Sequence, residues 1–484
     1  MTSLKKQFIS GVVYTAAAKY AGLIIQLVIT GVLSRLLTPD DFGIVAIATV
    51  FITFFNLLSD FGIGPAIIQT KDLEEEEIRD IFTFSIYVGL GLGVFFFIAG
   101  TWIADIYNKP VLVTICRLLS INVFFASINI VPNAMLLREK KFKFIALRTL
   151  FIQVVCGVIG IAAALSGMNL YSLIIYSISS AIALFAVNYY QNPLFRHITF
   201  KSSSLKKIYH YSIYQFFFNF INYFSRNLDT LFIGRFLSTA VLGYYDKAYR
   251  LMLLPVENLT HVLSPVIHPL FSDFQHDKKK IEEGYGKIVF FLAMLGFPAS
   301  AYLPFVSREL IYIIFGNQWE NAVPVFQILS WSVGIQIVLS SSGSIFQAAN
   351  GTKMLFLSGF LSAIAMVGGI CYGVFVTKTS EGVAYGLIVA FVLNFIQAYL
   401  LLIRFVLHGS LSRFLRAFIK PLLLFFLVLI FEYVFYRMAF SAPVFLSFIL
   451  KTFIAGCAVV TGIIITGDYK LVIAIVKGFL QSRK

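Results

Sequence analysis

Long apolar runs recur from one end of the 484-residue chain to the other, with short polar connections between them. The pattern predicts helices at residues 10–36, 42–69, 79–106, 110–136, 142–166, 169–191, 208–235, 239–268, 285–313, 321–348, 352–377, 382–407, 411–437 and 443–467. Each run is longer than the ~20 residues that an α-helix needs to cross the hydrocarbon core of a bilayer. We therefore predict an all-α polytopic membrane protein with about 14 transmembrane helices.

The composition is typical of a membrane protein. Hydrophobic residues make up 59% of the chain and charged residues only 13%, whereas about a quarter of a soluble domain is charged. The four cysteines fall inside apolar runs and lack the spacing of a disulfide framework or a zinc site. The first apolar run is too long for a cleavable signal peptide, contains Lys19 and lacks a small-residue cleavage site. We interpret it as the first transmembrane helix.

The net charge of +15 raises the question of a nucleic-acid partner, but the positions of the basic residues explain it differently. With the N-terminus in the cytoplasm, about 24 of the 38 lysines and arginines fall in inside segments and about six in outside loops. Cytoplasmic loops of membrane proteins carry such an excess, and acidic segments such as residues 72–77 count little in this rule. The bias predicts that both termini are cytoplasmic, and no nucleic-acid partner is needed.

The two halves of the chain contain a repeated segment. Residues 33–43 (LSRLLTPDDFG) and 233–243 (IGRFLSTAVLG) share an arginine at the third position, a hydroxyl residue at the sixth and a glycine at the last. Both segments follow a helix that leaves the cytoplasm, so the repeats have the same orientation. The pattern predicts two pseudo-symmetric six-helix lobes, residues 1–200 and 201–410, and then two C-terminal helices with a cytoplasmic tail in residues 411–484. The alternative is a chance similarity between two apolar segments.

Polar residues inside predicted spans are the candidates for function. Such residues are costly in hydrocarbon and usually face a water-filled cavity or a partner. In the seventh helix one face carries Gln215, Asn219, Asn222, Arg226 and Asp229, at spacings of 4, 3, 4 and 3 residues. The face indicates a cavity lining, and hydrogen bonding between helices is the alternative.

The first and eighth helices carry further polar residues. Lys19 and Gln26 lie in the first helix, and the 200-residue offset places them opposite Asn219 and Arg226. Lys19 is ~13 Å from the cytoplasmic end at 1.5 Å per residue, too deep for simple snorkelling. An excess of buried cations favours an anionic ligand with a phosphate-type group, although Arg226 could instead pair with Asp229. The predicted substrate-binding residues are Lys19, Gln26, Arg117, Asn219, Asn222, Arg226, Lys247 and Arg250.

Acidic residues within the spans suggest a coupling step. Asp60 and Asp229 are the deepest acidic residues of the two lobes, and intramembrane carboxylates often bind the proton or sodium ion that drives transport. The alternative is that they neutralise neighbouring arginines. Near the C-terminus, Lys420 and Lys451 are predicted to be interfacial or to pair with Glu432.

No motif predicts an enzyme. The sequence has no phosphate-binding GxxxxGK[ST] loop and no HExxH pair. We therefore expect no catalytic residues, no metal and no cofactor other than a coupling Na⁺ or H⁺.

Three segments carry a family resemblance: residues 33–43, residues 58–69 (LSDFGIGPAIIQ) and residues 227–234 (NLDTLFIG). They resemble the oligosaccharide flippases of the polysaccharide transporter family, within the multidrug/oligosaccharidyl-lipid/polysaccharide exporter superfamily. The likeness is greatest to the colanic-acid-exporter type and extends over nearly the whole chain.

The resemblance implies a flippase of the bacterial inner membrane. Its substrate would be an undecaprenyl-diphosphate-linked oligosaccharide, moved from the cytoplasmic to the outer leaflet by alternating access. Lys19, Arg226, Lys247 and Arg250 occupy helices in which relatives hold the diphosphate and sugar acids. A polysaccharide polymerase and assembly proteins are the implied protein partners.

Two other classes are the main alternatives. A multidrug or small-molecule exporter of the same superfamily would favour acidic residues for organic cations, and the basic residues here count against it. A membrane-embedded polysaccharide polymerase or glycosyltransferase commonly needs a sizeable outside loop, and the predicted outside loops are short. A non-transporting scaffold in polysaccharide assembly is a third possibility.

Overall fold

The computed structural model describes residues 2–60, 62–70, 72–193, 223, 227–272, 274–275, 277–438 and 442–468, without the side chains of residues 2–16, 261–266 and 268–269. Within these ranges the regular elements are helices and none is a strand. The predicted all-α class is therefore confirmed. The chain divides into two compact units, Met1–Gly243 and Tyr244–Lys484. The predicted division at residues 200 and 410 stays a prediction.

The described part of the first unit contains eight helices before Thr239, and the third of them, with seven residues, is the shortest. They are α1 Thr2–Leu36, α2 Pro39–Asp60, α3 Ile63–Gln69, α4 Glu75–Tyr107, α5 Val111–Arg138, α6 Phe142–Ala163 with a π-helical end at Ala164–Met168, α7 Tyr171–Gln191 and α8, residues 227–236. Gly62 stands between α2 and α3 with a φ of 74°, a left-handed conformation that glycine adopts without steric cost.

The second unit begins within α9 Thr239–Ser272, at Tyr244. Its other helices are α10 Lys278–Tyr302, α11 Ser307–Ile314, a 3₁₀ turn at Asn317–Trp319, α12 Ala322–Ser330, α13 Val333–Leu339, α14 Ser342–Ala348, α15 Thr352–Cys371 with a π-helical end at Tyr372–Thr377, α16 Ser380–Leu400 with one at Leu401–Val406, α17 Leu411–Arg416, α18 Ile419–Arg437 and α19 Val444–Thr466.

Among the described residues, 11 helices are long and apolar enough to cross a membrane, or 12 if the bent pair Ala322–Ser330 and Val333–Ala348 is one span. The predicted span at residues 208–235 lies largely outside the described residues. The predicted span at 239–268 is helical as α9 but is not one of the 11. The count of 14 therefore stays a prediction.

Two predicted helices are broken. The run at 285–313 forms α10 and α11 with a turn between them, and the run at 321–348 bends by 50° between α12 and α13. At the second break, the Ser332 hydroxyl donates to the Leu329 carbonyl at 2.6 Å, and the Gly334 amide donates to Ser300 Oγ of α10 at 2.6 Å. Serine hydroxyls that bond to the preceding turn commonly bend helices. Apolar periodicity does not reveal such a bend.

Small residues allow the long helices α4 and α5 to pack closely. A Cβ built on Gly89 would lie 2.8 Å from Ser127 Cβ, and one built on Gly100 would lie 2.8 Å from Cys116 Cβ. Small side chains are the usual means of helix association in membranes, because close backbone approach replaces the hydrophobic driving force. These glycines therefore fix the spacing of α4 and α5.

The two repeated segments form equivalent turns. α1 ends at Leu36 and α2 begins at Pro39, while α8 ends at residue 236 and α9 begins at Thr239. Each new helix is capped by the hydroxyl at the shared position. The Asp41 amide donates to Thr38 Oγ1 at 3.3 Å, and the Val241 amide donates to Ser238 Oγ at 3.1 Å. The predicted correspondence at an offset of 200 residues is confirmed for these turns.

The starts of α2 and α9 touch each other through their glycines. A Cβ on Gly43 would lie 1.7 Å from the Thr239 carbonyl oxygen, and a Cβ on Gly243 would lie 2.0 Å from the Pro39 carbonyl oxygen. The two contacts are the same contact with the repeats exchanged, as a local two-fold axis requires. A further hydrogen bond runs from Thr239 Oγ1 to Asp40 Oδ1. Only glycine allows the backbones to approach this closely.

Candidate functional site

The exposed surface of α1 is divided into a polar and an apolar side. Lys19 and Gln26 are exposed, seven residues apart on one face, and neither has a polar partner among the described residues. Tyr20, Ile24 and Val28 form a second exposed face. At 100° per residue the two faces are separated by about 150° around the helix. An apolar face so far from the polar one can contact lipid while Lys19 and Gln26 contact water.

The remaining side of α1 packs against α6. Gln153 donates from Nε2 to the Gly22 carbonyl at 2.9 Å, and Ile29 occupies the space beside Gly157. This packed side lies between the polar and apolar faces around the helix, so α6 fixes the direction of both. We call Lys19 and Gln26 the α1 polar face.

The predicted polar stripe of the seventh helix is only partly described. Gln215, Asn219, Asn222 and Arg226 lie outside the described residues. Asp229, in α8, is buried, and its Oδ1 accepts a hydrogen bond of 2.7 Å from the Thr230 amide. The structure thus shows that Asp229 is buried on α8. The placement of all five residues on one helix face stays a prediction.

Two other candidates of the first unit have local partners. Asp60 is half-buried, and its Oδ1 accepts from the Gly64 amide at 3.2 Å, so its carboxylate caps the start of α3. Arg117 is exposed on α5, with its guanidinium carbon 5.0 Å from the centre of the Phe97 ring. The cap gives Asp60 a structural role that is independent of any coupling ion.

The cationic residues of α9 differ in their surroundings. Lys247 is only 5% exposed, and its Nζ lies 5.3 Å from the centre of the Phe315 ring and 5.5 Å from that of Trp319. Arg250 is exposed, and its Nε donates to Asp246 Oδ1 at 2.8 Å. Lys247 therefore contacts aromatic rings in this conformation, and Asp246 offsets the charge of Arg250.

Sequence reasoning missed Asp246, although the signal was available. An aspartate four residues before an arginine on a helix is a standard ion-pair spacing. With Asp246 included, the three charged residues of this turn carry a net charge of +1 instead of +2. The excess of cations in α9 is accordingly smaller than predicted. Lys19 of α1 has no polar partner among the described residues and lies beside the side of α1 that packs on α6.

A buried arginine cluster in the first unit was also missed. Arg148 of α6 is buried, and its guanidinium donates to Asn188 of α7 and to Asn133 of α5 at 3.4 Å. Asn188 in turn donates to Asn129 Oδ1 at 2.7 Å. The four residues link α5, α6 and α7 through hydrogen bonds, and their sequence separation of up to 59 residues hides the contact from a pattern search.

The C-terminal lysines have partners other than the predicted one. Lys420 pairs with Asp468 at 2.7 Å, and Lys451 pairs with Glu309 at 2.5 Å. For Lys420 the predicted pairing with Glu432 is therefore wrong, because its partner is Asp468, two residues beyond the end of α19. The exposed Lys420 side chain agrees with the alternative prediction of an interfacial position.

The described candidates thus divide by environment. Lys247 and Arg250 lie on the same turn as Asp246, whereas Arg117 and Asp60 of the first unit have separate local partners, Phe97 and the Gly64 amide. Among the described residues, no group of three or more histidine, cysteine, aspartate or glutamate residues could hold a metal ion. The described candidates offer cations and an amide to an anionic or sugar ligand.

The chain is similar to proteins of bacterial surface polysaccharide synthesis. A family model described as "Polysaccharide biosynthesis protein" matches residues 32–324, more than half of the chain. The lipopolysaccharide biosynthesis protein WzxC of Escherichia coli (strain K12) is 25% identical over 428 residues, 87% of this chain and 85% of the relative. The teichuronic acid biosynthesis protein TuaB of Bacillus subtilis (strain 168) is 27% identical over 429 residues, 88% of each chain.

The fold is also found in a solved structure. The lipid II flippase MurJ, in an inward closed conformation, superimposes with a TM-score of 0.73 over 94% of this chain and 99% of that one, at 14% identity. At this identity the likeness concerns the fold alone. The helices of sufficient length and the family match agree on a membrane protein with many spans. The chain therefore belongs to the polysaccharide biosynthesis protein family and is a multi-pass membrane protein with a MurJ-like fold.

Proposed function

We propose that this protein is a flippase that moves undecaprenyl-diphosphate-linked oligosaccharide repeat units from the cytoplasmic to the outer leaflet of the bacterial inner membrane. Membership in the family of polysaccharide biosynthesis proteins supports the pathway, and the flippase named among the fold neighbours supports the mechanism. The observation that carries the proposal is the α1 polar face. A lysine and a glutamine on a spanning helix, directed away from its apolar exposed face, are suited to a diphosphate and a sugar.

The physical problem that a flippase solves is desolvation. Moving a diphosphate through hydrocarbon without compensation costs tens of kcal/mol on a Born calculation. Fixed cations and amides replace part of the lost hydration while the lipid tail stays in the bilayer. Several moderate contacts suit this purpose better than one deep site, because the head group must also be released.

We assign the head-group contacts to residues of three predicted spans: the first at 10–36, the seventh at 208–235 and the eighth at 239–268. Lys19 and Arg226 are the principal cations of this proposal, with Gln26, Asn219 and Asn222 as hydrogen-bonding groups. Lys247 and Arg250 would join them in a conformation in which Lys247 leaves its two aromatic rings. Arg117, stacked on an exposed phenylalanine, is assigned to the outer part of the path.

The proposed mechanism is alternating access between two lobes. Fourteen helices, with both termini in the cytoplasm, would form six-helix lobes at residues 1–200 and 201–410, followed by residues 411–484. The repeated turns of α2 and α9 support two related halves, because their glycines make the same contact with the roles exchanged. Rocking of the lobes would expose the head group first to one side and then to the other.

A coupling ion, Na⁺ or H⁺, completes the proposal. Asp229 is the better candidate for its binding, because it is buried on the helix that carries the proposed substrate residues. Asp60 is kept as a second candidate, although its cap of α3 explains its presence without an ion. A polysaccharide polymerase and assembly proteins would receive the flipped repeat unit.

Reconstitution tests the proposal against its rivals. Purified protein in liposomes is given an undecaprenyl-diphosphate-linked disaccharide in the inner leaflet, and its arrival outside is followed with a membrane-impermeant oxidant of sugars. We expect the lipid to become accessible without chemical change. A new glycosidic bond would identify a polymerase or glycosyltransferase, and efflux of a cationic dye without lipid movement would identify a multidrug exporter. If the folded protein neither moves the lipid, nor forms a glycosidic bond, nor exports the dye, a non-transporting scaffold is the remaining interpretation.

A further inference from the structure

A buried group of ionisable residues lies in the second unit, on helices that the proposed substrate contacts do not use. Lys451 of α19 donates to Glu309 Oε1 of α11 at 2.5 Å and to the Phe305 carbonyl at 2.7 Å. Ser447 also donates to Glu309 Oε1, at 2.7 Å. Glu309 is buried and Lys451 is mostly buried. Oε1 of Glu309 therefore accepts hydrogen bonds from both Lys451 and Ser447, whereas its Oε2 has no hydrogen-bond partner among the described residues.

Glu432 of α18 is the second acid of this group. It is 1% exposed, and neither of its carboxylate oxygens has a hydrogen-bond partner among the described residues. It lies within electrostatic range of both Lys451 and Glu309. We call Glu309, Glu432 and Lys451 the acid–lysine cluster.

The charges of the cluster do not balance when all three residues are ionised. One lysine and two carboxylates give a net charge of −1. Lys451 already forms an ion pair with Glu309, so its positive charge does not neutralise Glu432 as well. An ionised carboxylate buried without donors costs at least several kcal/mol. A neutral carboxylic acid at Glu432 removes that cost.

The other cations on the surrounding elements have partners outside the cluster. Arg308 of α11 is next to Glu309 in sequence, but its side chain is exposed and its Nη2 lies 3.7 Å from Glu320 Oε1. From α10 the facing titratable group is Tyr302, whose hydroxyl is within 2.6 Å of Thr452 Oγ1. On α18 itself, Arg437 lies over the Tyr433 ring at 5.7 Å. Lys451 is thus the mostly buried cation of the cluster, and it can neutralise either Glu309 or Glu432 but not both at once.

We propose that Glu432 is a proton-binding site whose occupancy is controlled by the Lys451–Glu309 ion pair. While the pair is closed, the Glu432 carboxylate holds one proton and is neutral. When the pair opens and Lys451 turns to Glu432, the carboxylic O–H bond of Glu432 breaks and the proton leaves to water. The Glu309 carboxylate stays ionised in that state because the same opening exposes it to water. If the chain flips lipid as proposed above, a conformational change that separates α11 from α19 would couple flipping to proton release.

Infrared spectroscopy of the full chain in nanodiscs at pH 7 tests the site without any transport. The difference spectrum between wild type and Glu432→Gln should show the loss of a protonated-carboxyl C=O stretch. The glutamine is close in size to the neutral acid, so the melting midpoint should stay within a few degrees of the wild type. Loss of an ionised-carboxylate band instead would overturn the proposal.

A second variant keeps the test decisive if Glu432→Gln does not fold. Glu309→Gln removes the competing charge, so Lys451 should turn to Glu432 and ionise it. The same protonated-carboxyl band should then disappear although Glu432 is intact. Persistence of the band in Glu309→Gln would contradict the control by the ion pair.

Flipping assays examine the coupling separately. In proteoliposomes with an imposed proton gradient, wild-type flipping should change at least several-fold with the direction of the gradient. Glu432→Gln should reduce this dependence, whether or not a coupling ion also binds at Asp229. Gradient-independent flipping by the wild type would overturn the coupling. A wild type that does not flip at all would refute the flippase proposal instead, and the infrared result would still decide the proton site.

Discussion

Alanine at Gly43 or Gly243 is expected to prevent stable folding. Each added Cβ would lie within 2.0 Å of a backbone carbonyl oxygen, and neither oxygen can move without shifting the first turn of a helix. Overpacking of this kind typically costs 1–3 kcal/mol, and contacts with backbone lie at the upper end, so we expect a loss of about 3 kcal/mol or more. The melting midpoint of the purified protein in detergent should fall sharply, and the yield of monodisperse protein should fall with it.

Glycines without close neighbours provide the control. Gly91 in α4 and Gly359 in α15 have nothing within 4 Å of an added Cβ. Alanine there should leave the midpoint unchanged or raise it slightly, because alanine favours a helix over glycine by up to ~1 kcal/mol. A Gly43→Ala protein as stable as Gly91→Ala would mean that α2 and α9 do not meet as described. Equal losses in Gly43→Ala and Gly243→Ala would support the exchanged contact.

Replacement of Lys19 by alanine is expected to abolish export of surface polysaccharide while membrane insertion is retained. A charge-assisted hydrogen bond to a phosphate oxygen is worth about 1.5–3 kcal/mol, so its loss should slow flipping by about 10- to 100-fold. Lys19 has no ion-pair partner among the described residues, so its removal leaves none of those acids unpaired and should cost little stability. The same loss of export is expected for Arg226→Ala.

Lys353→Ala is the matched control for charge. Lys353 is exposed at the start of α15, far in sequence from the proposed contacts, and its removal changes the net charge equally. Flipping rates in proteoliposomes, normalised to inserted protein, compare the variants. Wild-type rates in both Lys19→Ala and Arg226→Ala would remove these residues from the site. A loss in Lys353→Ala as large as that in Lys19→Ala would point to a general effect of charge.

The helices were predictable because their signals are local. A run of apolar residues of sufficient length marks a span, and the hydroxyl caps Thr38 and Ser238 mark the starts of α2 and α9. The offset of 200 residues between the repeated turns is also visible directly in the sequence. The bend between α12 and α13 could not, because it depends on Ser300 of another helix meeting the Gly334 amide.

The site was less predictable because its chemistry depends on partners. The polar stripe of α1 follows from helical spacing, yet its direction depends on the contact of Ile29 with Gly157 of α6. The ion pair of Arg250 with Asp246 is local and could have been predicted. The pairing of Lys451 with Glu309, 142 residues away in sequence, required the three-dimensional structure.

Cysteine labelling of α1 tests most directly whether its polar face borders a water-filled path for diphosphate. Gln26→Cys and Val28→Cys are compared in a background in which Cys116, Cys156, Cys371 and Cys457 are alanine. Both positions are exposed and lie within one turn of each other, on the polar and the apolar face. A membrane-impermeant thiol reagent should label position 26 much faster than position 28, and undecaprenyl diphosphate should protect position 26. Equal labelling of the two positions, or no protection, would contradict the account.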